Sequence, residues 1–159
     1  MPDTVPSIST STAVRLAALI SVAWVAVSCS GDDNGAAVID LGAGAVGMCL
    51  DFGPEVGAEV LELPTIDCSE PHSHEIFAVV VSDATVYPGK KALETTAQAK
   101  CLGRFEEFVG ISAFDSTLFY SWLVPTLNTW DRNDDREIIC VVGDGTGAPL
   151  RGSVRNSNR

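Results

Sequence analysis

The most regular pattern in the chain is an apolar stripe that lies between two glycines. Apolar side chains recur at spacings of four, four, four and three residues, which is one face of an α-helix, while the charged side chains fall elsewhere. The stripe consists of Leu93, Ala97, Cys101, Phe105 and Phe108. A Pro-Gly pair at 88–89 precedes it and Gly110 follows it, so the pattern predicts one long helix over about residues 90–108.

Short runs rich in β-branched and aromatic residues, each bounded by Pro, Gly or Asp, predict strands. They lie at residues 60–63, 75–81, 122–124 and 136–142. Strands and helices do not alternate along the chain as a parallel sheet would require. We therefore predict an α+β fold, in which a small antiparallel sheet of about four strands packs against one main helix. The predicted core is formed by Leu93, Phe105, Phe108, Phe77, Val79, Trp122, Ile138 and Val142.

Four cysteines fall within the predicted domain, an even number that an oxidising compartment turns into two disulfides. Cys101 lies on the helix stripe and Cys140 on the inward face of the last predicted strand, so both sulfurs face the core. Packing the helix on the sheet would bring them together. Of the three connectivities that four cysteines allow, we therefore predict Cys101 with Cys140 and Cys49 with Cys68.

The N-terminus has the pattern of a secretory signal peptide. An uncharged apolar run at residues 16–28 follows Arg15 and ends in small residues. It is shorter than the roughly 20 apolar residues of a spanning helix. Ala-Val-Ser-Cys at 26–29 resembles a bacterial lipobox, so we expect a lipid on Cys29 to hold the mature chain on the extracytoplasmic face of the cell membrane. The alternative is an uncleaved signal anchor, in which Cys29 has no role.

These patterns divide the chain into a signal peptide at 1–28, a lipidated tether at 29–46, a folded domain at 47–152 and a disordered tail at 153–159. The formal net charge is -11, which disfavours nucleic acid and anionic lipid headgroups as partners. Residues 42–47 match G-x-G-x-x-G, but a dinucleotide site needs a helix directly afterwards, and Cys49 and Pro54 follow instead. These glycines are interpreted as tether and turn.

Several short motifs follow one another in the predicted domain. They are Gly-Met-Cys at 47–49, Asp-Cys-Ser-Glu-Pro-His-Ser-His-Glu at 67–75, Tyr-Pro-Gly at 87–89, Cys101, Phe105, Tyr120, Pro-Thr at 125–126, Trp130, Arg136, Cys140 and Gly152. Together they resemble the actinobacterial septum formation family. The resemblance implies an envelope lipoprotein or single-span membrane protein with a part in septation, and it supplies no catalytic residue. The chain has Gly-Met-Cys where the family often has Gly-Asp-Cys, and Asp-Asp-Arg at 134–136 for its usual Gly-Asp-Arg, which affects local turns.

Two histidines are candidate metal ligands. His72 and His74 would point the same way from an extended segment, with Asp67, Glu70 and Glu75 as nearby sources of oxygen ligands. Two imidazoles and a carboxylate can hold Zn²⁺ with an open position for a hydrolytic water. A stapled turn, in which a histidine bonds to backbone groups, explains the same residues more simply. We expect no metal or cofactor, and metal-dependent hydrolysis remains the alternative function.

Trp130 lies in a polar stretch, so its side chain is either a lid over the core edge or an exposed anchor for a partner. The lid is preferred. Together with Pro125, Thr126 and Arg136 it forms the predicted non-acidic contact region. The function expected is that of a non-enzymatic, membrane-anchored binding or assembly module, which recognises a protein or cell-wall component at division sites.

Overall fold

The computed structural model describes residues 41–52 and 63–159, and the structural statements below concern those residues. The predicted signal peptide, Cys29 and most of the tether lie outside them, as do all but the last residue of the strand predicted at 60–63. Within the described ranges, no helix is long and apolar enough to cross a membrane.

The described chain forms an α+β domain, as predicted. Its elements are a 3-10 helix (Gly42–Ala45), β1 (Cys49–Leu50), β2 (Thr65–Ile66), β3 (His74–Val81), α1 (Lys90–Val109), β4 (Leu118–Leu123), α2 (Leu127–Asn133) and β5 (Glu137–Asp144). All pairings are antiparallel, and the strand order is β2-β1-β3-β5-β4. The sheet has five strands where about four were expected, because β1 and β2 are too short to show an alternating pattern.

Helix α1 confirms the prediction from the apolar stripe. It begins directly after Gly89 and ends at Val109, and Gly110 caps it with a φ of 92°, which glycine alone readily adopts. All five stripe residues are buried, and the helix packs against β3, β4 and β5. At the centre of this interface, Phe105 meets Phe77 edge-to-face with ring centres 5.7 Å apart. Burying one such side chain contributes about 1.5 to 3 kcal/mol.

The sheet is apolar on both faces. A register shift between Ile76 and Ala78 places both Phe77 and Ala78 in the cluster against α1. The opposite face carries a smaller cluster formed by Ala45, Leu50, Ile76 and Val141. The 3-10 helix, through Ala45, therefore packs on the side of the sheet that α1 leaves open, and Leu50 of β1 points to the same side.

Both predicted disulfides are present. Cys101–Cys140 joins α1 to β5 with a Cα–Cα distance of 5.6 Å, and Cys49–Cys68 joins β1 to the turn after β2 with 5.3 Å. The bridged residues are separated by 39 and 19 positions in sequence. In the chain-entropy picture, loops of these lengths correspond to about 4 and 3 kcal/mol.

The predicted boundary between tether and domain at residue 46 needs correction. Leu41 and Gly42 donate their backbone N–H groups to the two carboxylate oxygens of Glu137, each over 3.0 Å, and Ala45 is buried. Residues 41–46 therefore belong to the folded unit. The physical reason is that the negative carboxylate of Glu137 lies at the start of the 3-10 helix. It accepts hydrogen bonds from backbone N–H groups that would otherwise donate to water.

The predicted disorder of residues 153–159 also needs correction, because this segment is packed against the domain. Val154 is buried, and the N–H groups of Asn156 and Asn158 donate to the carbonyl oxygens of Phe108 and Val109 over 2.8 and 2.9 Å. Carbonyls in the last turn of a helix have no partner within the helix. The segment satisfies them, and this is why a short polar sequence is ordered here.

Candidate functional site

The first candidate metal ligand, His72, is a buried structural residue. Its side chain is fully buried, and its backbone pairs with that of Leu150 in both directions. The ring atom Nδ1 lies 2.8 Å from the carbonyl oxygen of Glu70. A carbonyl only accepts, so Nδ1 carries a proton and donates it, while Nε2 has no partner within the described chain. The structure thus has the backbone contact that the stapled-turn interpretation predicted.

The second candidate, His74, lies in an apolar setting at the start of β3. Phe52 and Phe119 approach its ring edge-on, with centre-to-centre distances of 5.4 and 6.0 Å. Burial and the neighbouring His72 hold the pKa of His74 below its ordinary value of 6.5. Both effects disfavour the charged imidazolium.

A metal centre at the histidines finds no support in the described residues. The group of metal-binding side chains that comes together there is Cys49, Cys68 and Glu75, and its two cysteines are joined in a disulfide. No carboxylate within the described ranges joins His72 and His74 in such a group. The arrangement needed for metal-dependent hydrolysis is therefore not assembled by this part of the chain.

Glu75 has a role that the sequence pattern did not indicate. Its side chain is fully buried in β3, where one carboxylate oxygen accepts a hydrogen bond from the hydroxyl of Ser153 over 2.6 Å. The other oxygen accepts from the backbone N–H of Val154 over 2.7 Å. The sequence suggested for the Glu75 side chain the role of a metal-ligand oxygen, whereas in the structure this side chain fastens the C-terminal segment to the sheet.

Trp130 occupies the position of a lid. Its side chain is 2% exposed, and its ring meets Tyr87 at a centre-to-centre distance of 5.6 Å. The guanidinium of Arg136 lies 3.8 Å from the centre of the Trp130 ring. Arg136 also donates to the carbonyl oxygen of Trp130 over 3.0 Å and forms an ion pair with Asp134 over 2.8 Å.

The contact region predicted around Trp130 is largely engaged in internal contacts. Pro125 is buried. Thr126 caps α2, since its hydroxyl accepts the N–H of Thr129 over 3.1 Å while the hydroxyl of Thr129 accepts the N–H of Thr126 over 3.0 Å. Side chains used in this way stabilise α2 and are poorly placed to contact a partner.

A groove follows the open edge of β3. Strand β1 pairs with β3 only at His74 and Glu75. One further residue of that edge is covered, because Gly47 donates to the carbonyl of Ile76 over 2.7 Å and Ile76 donates to that of Met48 over 2.9 Å. Beyond Ile76, β3 pairs with β5 on one side, and no strand of the described chain lies on the other.

The groove is bordered by both layers that pack on the sheet. Its volume is about 360 Å³, at the lower end of the roughly 300 to 1,000 Å³ of small-ligand pockets. Residues 77–79 of β3 line the groove together with side chains of α1, the 3-10 helix region and the C-terminal segment. Its lining consists of Phe77, Ala78, Val79, Ala43, Val46, Arg104, Glu107, Phe108 and Arg155.

Two arginines give this groove a cationic rim in an acidic chain. The guanidinium of Arg155 lies 4.2 Å from the centre of the Phe108 ring, and its Nη2 lies 3.5 Å from the carbonyl oxygen of Val46. Arg155 thus spans the groove from α1 to the segment before β1. Arg104 forms an exposed ion pair with Glu107 over 3.0 Å. Arg155 forms no ion pair with an acidic residue within the described ranges.

The fold and the groove define the class of protein: a disulfide-stapled α+β domain with an open sheet edge beside a cationic rim. Residues 41–145, which are 105 of the 159, match the family model described as Septum formation. The chain belongs to the septum formation family, which confirms the resemblance seen in its motifs and links it to septum formation. No curated protein and no solved structure matches the chain.

Proposed function

We propose that this protein is a non-catalytic binding module, held by a lipid on Cys29 at the outer face of the cell membrane, which recognises a protein partner during septum formation. Family membership supports the link to septation. The two disulfides support export, because such bridges persist in oxidising compartments. The binding role rests on the groove along β3, where an open strand edge lies next to a cationic rim.

Recognition is assigned to the groove for a physical reason. His72 and Trp130 are buried, and Arg136 is engaged with Trp130 and Asp134. The groove instead combines a backbone edge that no described strand covers with a guanidinium that has no acidic partner among residues 41–52 and 63–159. A protein partner can use both at once, through main-chain hydrogen bonds and through a negative group.

The lipid supplies membrane attachment because electrostatics would oppose it. A chain of net charge -11 is repelled by anionic headgroups. Each buried CH₂ of an acyl chain contributes about 0.8 kcal/mol, and stable attachment takes two such chains or one chain with a basic patch. Diacylglycerol on Cys29 meets that requirement without any basic patch.

The anchoring is tested by Cys29→Ser with Ser30→Ala as the matched control. Cells fed radiolabelled fatty acid are expected to label the wild type and Ser30→Ala, and to leave Cys29→Ser unlabelled because it lacks the thiol. The unlabelled variant is expected to remain uncleaved or to be released from the membrane. Label in Cys29→Ser would show that the lipid is elsewhere.

The binding role is tested in growing cells by immunofluorescence and crosslinking. Wild type is expected at division sites, crosslinked to a specific protein. Arg155→Gln is expected to lose that crosslink, whereas Arg132→Gln, which removes an exposed arginine of α2 outside the groove, is expected to keep it. Uniform distribution together with no specific crosslink, or a crosslink equally strong in Arg155→Gln, would contradict the proposed function.

A further inference from the structure

We propose that the groove binds the carboxyl-terminal end of an extended peptide, which pairs with β3 as an added strand and places its terminal carboxylate on Arg155. This inference rests on the proposed binding function and names the ligand class of the same site. It follows from where the edge of β3 opens, from where Arg155 is held, and from the balance of charges around the groove.

The open edge of β3 sets the length of the ligand. Gly47 and Met48 occupy the edge at Ile76, and no strand of the described chain pairs with this edge from Phe77 to Val81, which is the stretch that an added strand would use. A strand edge presents backbone donors and acceptors at the spacing that another extended chain requires, about 4.7 to 4.9 Å away. Main-chain pairing supplies affinity that is independent of the ligand's sequence.

The position of Arg155 sets the direction of the ligand. A Cβ atom built on Gly47 would come within 3.3 Å of the Nη2 of Arg155, so the guanidinium stands beside Gly47, where the covered edge ends. A peptide whose last residue meets Arg155 runs from the Val81 end towards Phe77. Its direction is antiparallel to β3, as in every other pairing of this sheet, and this is slightly the more stable arrangement.

A guanidinium is well suited to a terminal carboxylate, because its planar N–H groups can donate two parallel hydrogen bonds to the two oxygens. Arg155 is also held in place before a ligand arrives. Its guanidinium lies over Phe108, and the preceding residue, Val154, is fastened to Glu75. Less conformational entropy is therefore lost when the ligand binds.

The charges favour one carboxylate over a polyanion. The opposite charges of Arg104 and Glu107 cancel at the rim. The side chains that line the groove therefore have a net charge of +1, which Arg155 supplies. A ligand with many negative charges would be repelled by a chain of net charge -11. The lining of Phe77, Ala78 and Phe108 favours an apolar residue at the end of the peptide.

The test uses the full-length protein, purified in detergent, on an array of hexapeptides with varied sequences and an apolar last residue. Each peptide is attached through its N-terminus and is present both with a free carboxylate and as the C-terminal amide. We expect a subset of the free acids to bind, and each matching amide to bind at least about tenfold more weakly, because the charge-assisted pair is lost. Arg155→Gln is expected to lose the same discrimination, while Arg132→Gln keeps it.

Thermal unfolding of the variants establishes that each is folded. The inference is overturned if no free acid binds more tightly than its amide, or if Arg155→Gln discriminates as well as the wild type. Its failure is distinguishable from failure of the proposed function. A specific crosslinked partner that depends on Arg155 would leave the binding role intact even if the array shows no preference for free carboxylates.

Discussion

Replacing Glu75 by leucine is expected to destabilise the domain and to release its C-terminal segment. The buried carboxylate accepts hydrogen bonds from the hydroxyl of Ser153 and the N–H of Val154 over 2.6 and 2.7 Å. Hydrogen bonds to a charged group contribute about 1.5 to 3 kcal/mol each. The leucine variant also avoids the free-energy cost of burying a carboxylate, and this offsets part of that loss. We therefore expect the free energy of unfolding to fall by about 3 kcal/mol, a large share of the roughly 5 to 15 kcal/mol of a typical domain.

Glu75→Gln separates hydrogen bonding from charge. The amide oxygen can still accept from Val154, and the amide NH₂ can donate to the hydroxyl of Ser153, so we expect a loss of only about 1 kcal/mol. Glu106→Gln is the control on an exposed surface of α1. Urea unfolding gives the free energies, and hydrogen exchange of the Asn156 and Asn158 amides reports whether the segment stays on α1.

The expected order of stability is wild type and Glu106→Gln, then Glu75→Gln, then Glu75→Leu. Only Glu75→Leu is expected to show fast exchange at Asn156 and Asn158. Wild-type stability in Glu75→Leu, or undiminished protection of those two amides, would refute the role given to the carboxylate. Because the released segment carries Arg155, the same variant is expected to lose binding of free-acid peptides in the groove.

Three further predictions concern stability. Replacing Cys101 and Cys140 together by alanine should lower the free energy of unfolding in urea by about 4 kcal/mol, and a change below about 1 kcal/mol would contradict the loop-closure argument. Trp130→Ala should cost about 3 to 5 kcal/mol through loss of a buried ring, and near-wild-type urea unfolding would reject the lid. The lowered pKa of His74 means that the unfolded chain binds a proton more readily than the folded one, so stability should fall as the pH drops below 6.5. His74→Gln should reduce that slope, and an unchanged slope would exclude His74 as its source.

Neighbouring positions along the chain determined a large part of the fold. The stripe from Leu93 to Phe108 predicted α1 and its buried face, because helical periodicity depends only on residues three or four apart. The same periodicity, with the two-residue period of strands, oriented Cys101 and Cys140 towards one another. The strands β1 and β2 could not be predicted from periodicity, because a strand of two residues is too short to show an alternation of apolar and polar positions.

Only the tertiary structure decided the ends of the domain and the candidate binding site. Glu75 meets Ser153 across 78 positions of sequence, and that contact orders a polar segment which by itself looks disordered. The groove likewise combines residues from the 3-10 helix region, β3, α1 and the C-terminal segment. Arg155 could be recognised as part of a site only once the register of the sheet had left β3 open beside it, because an exposed strand edge depends on which strands pair and where each pairing stops.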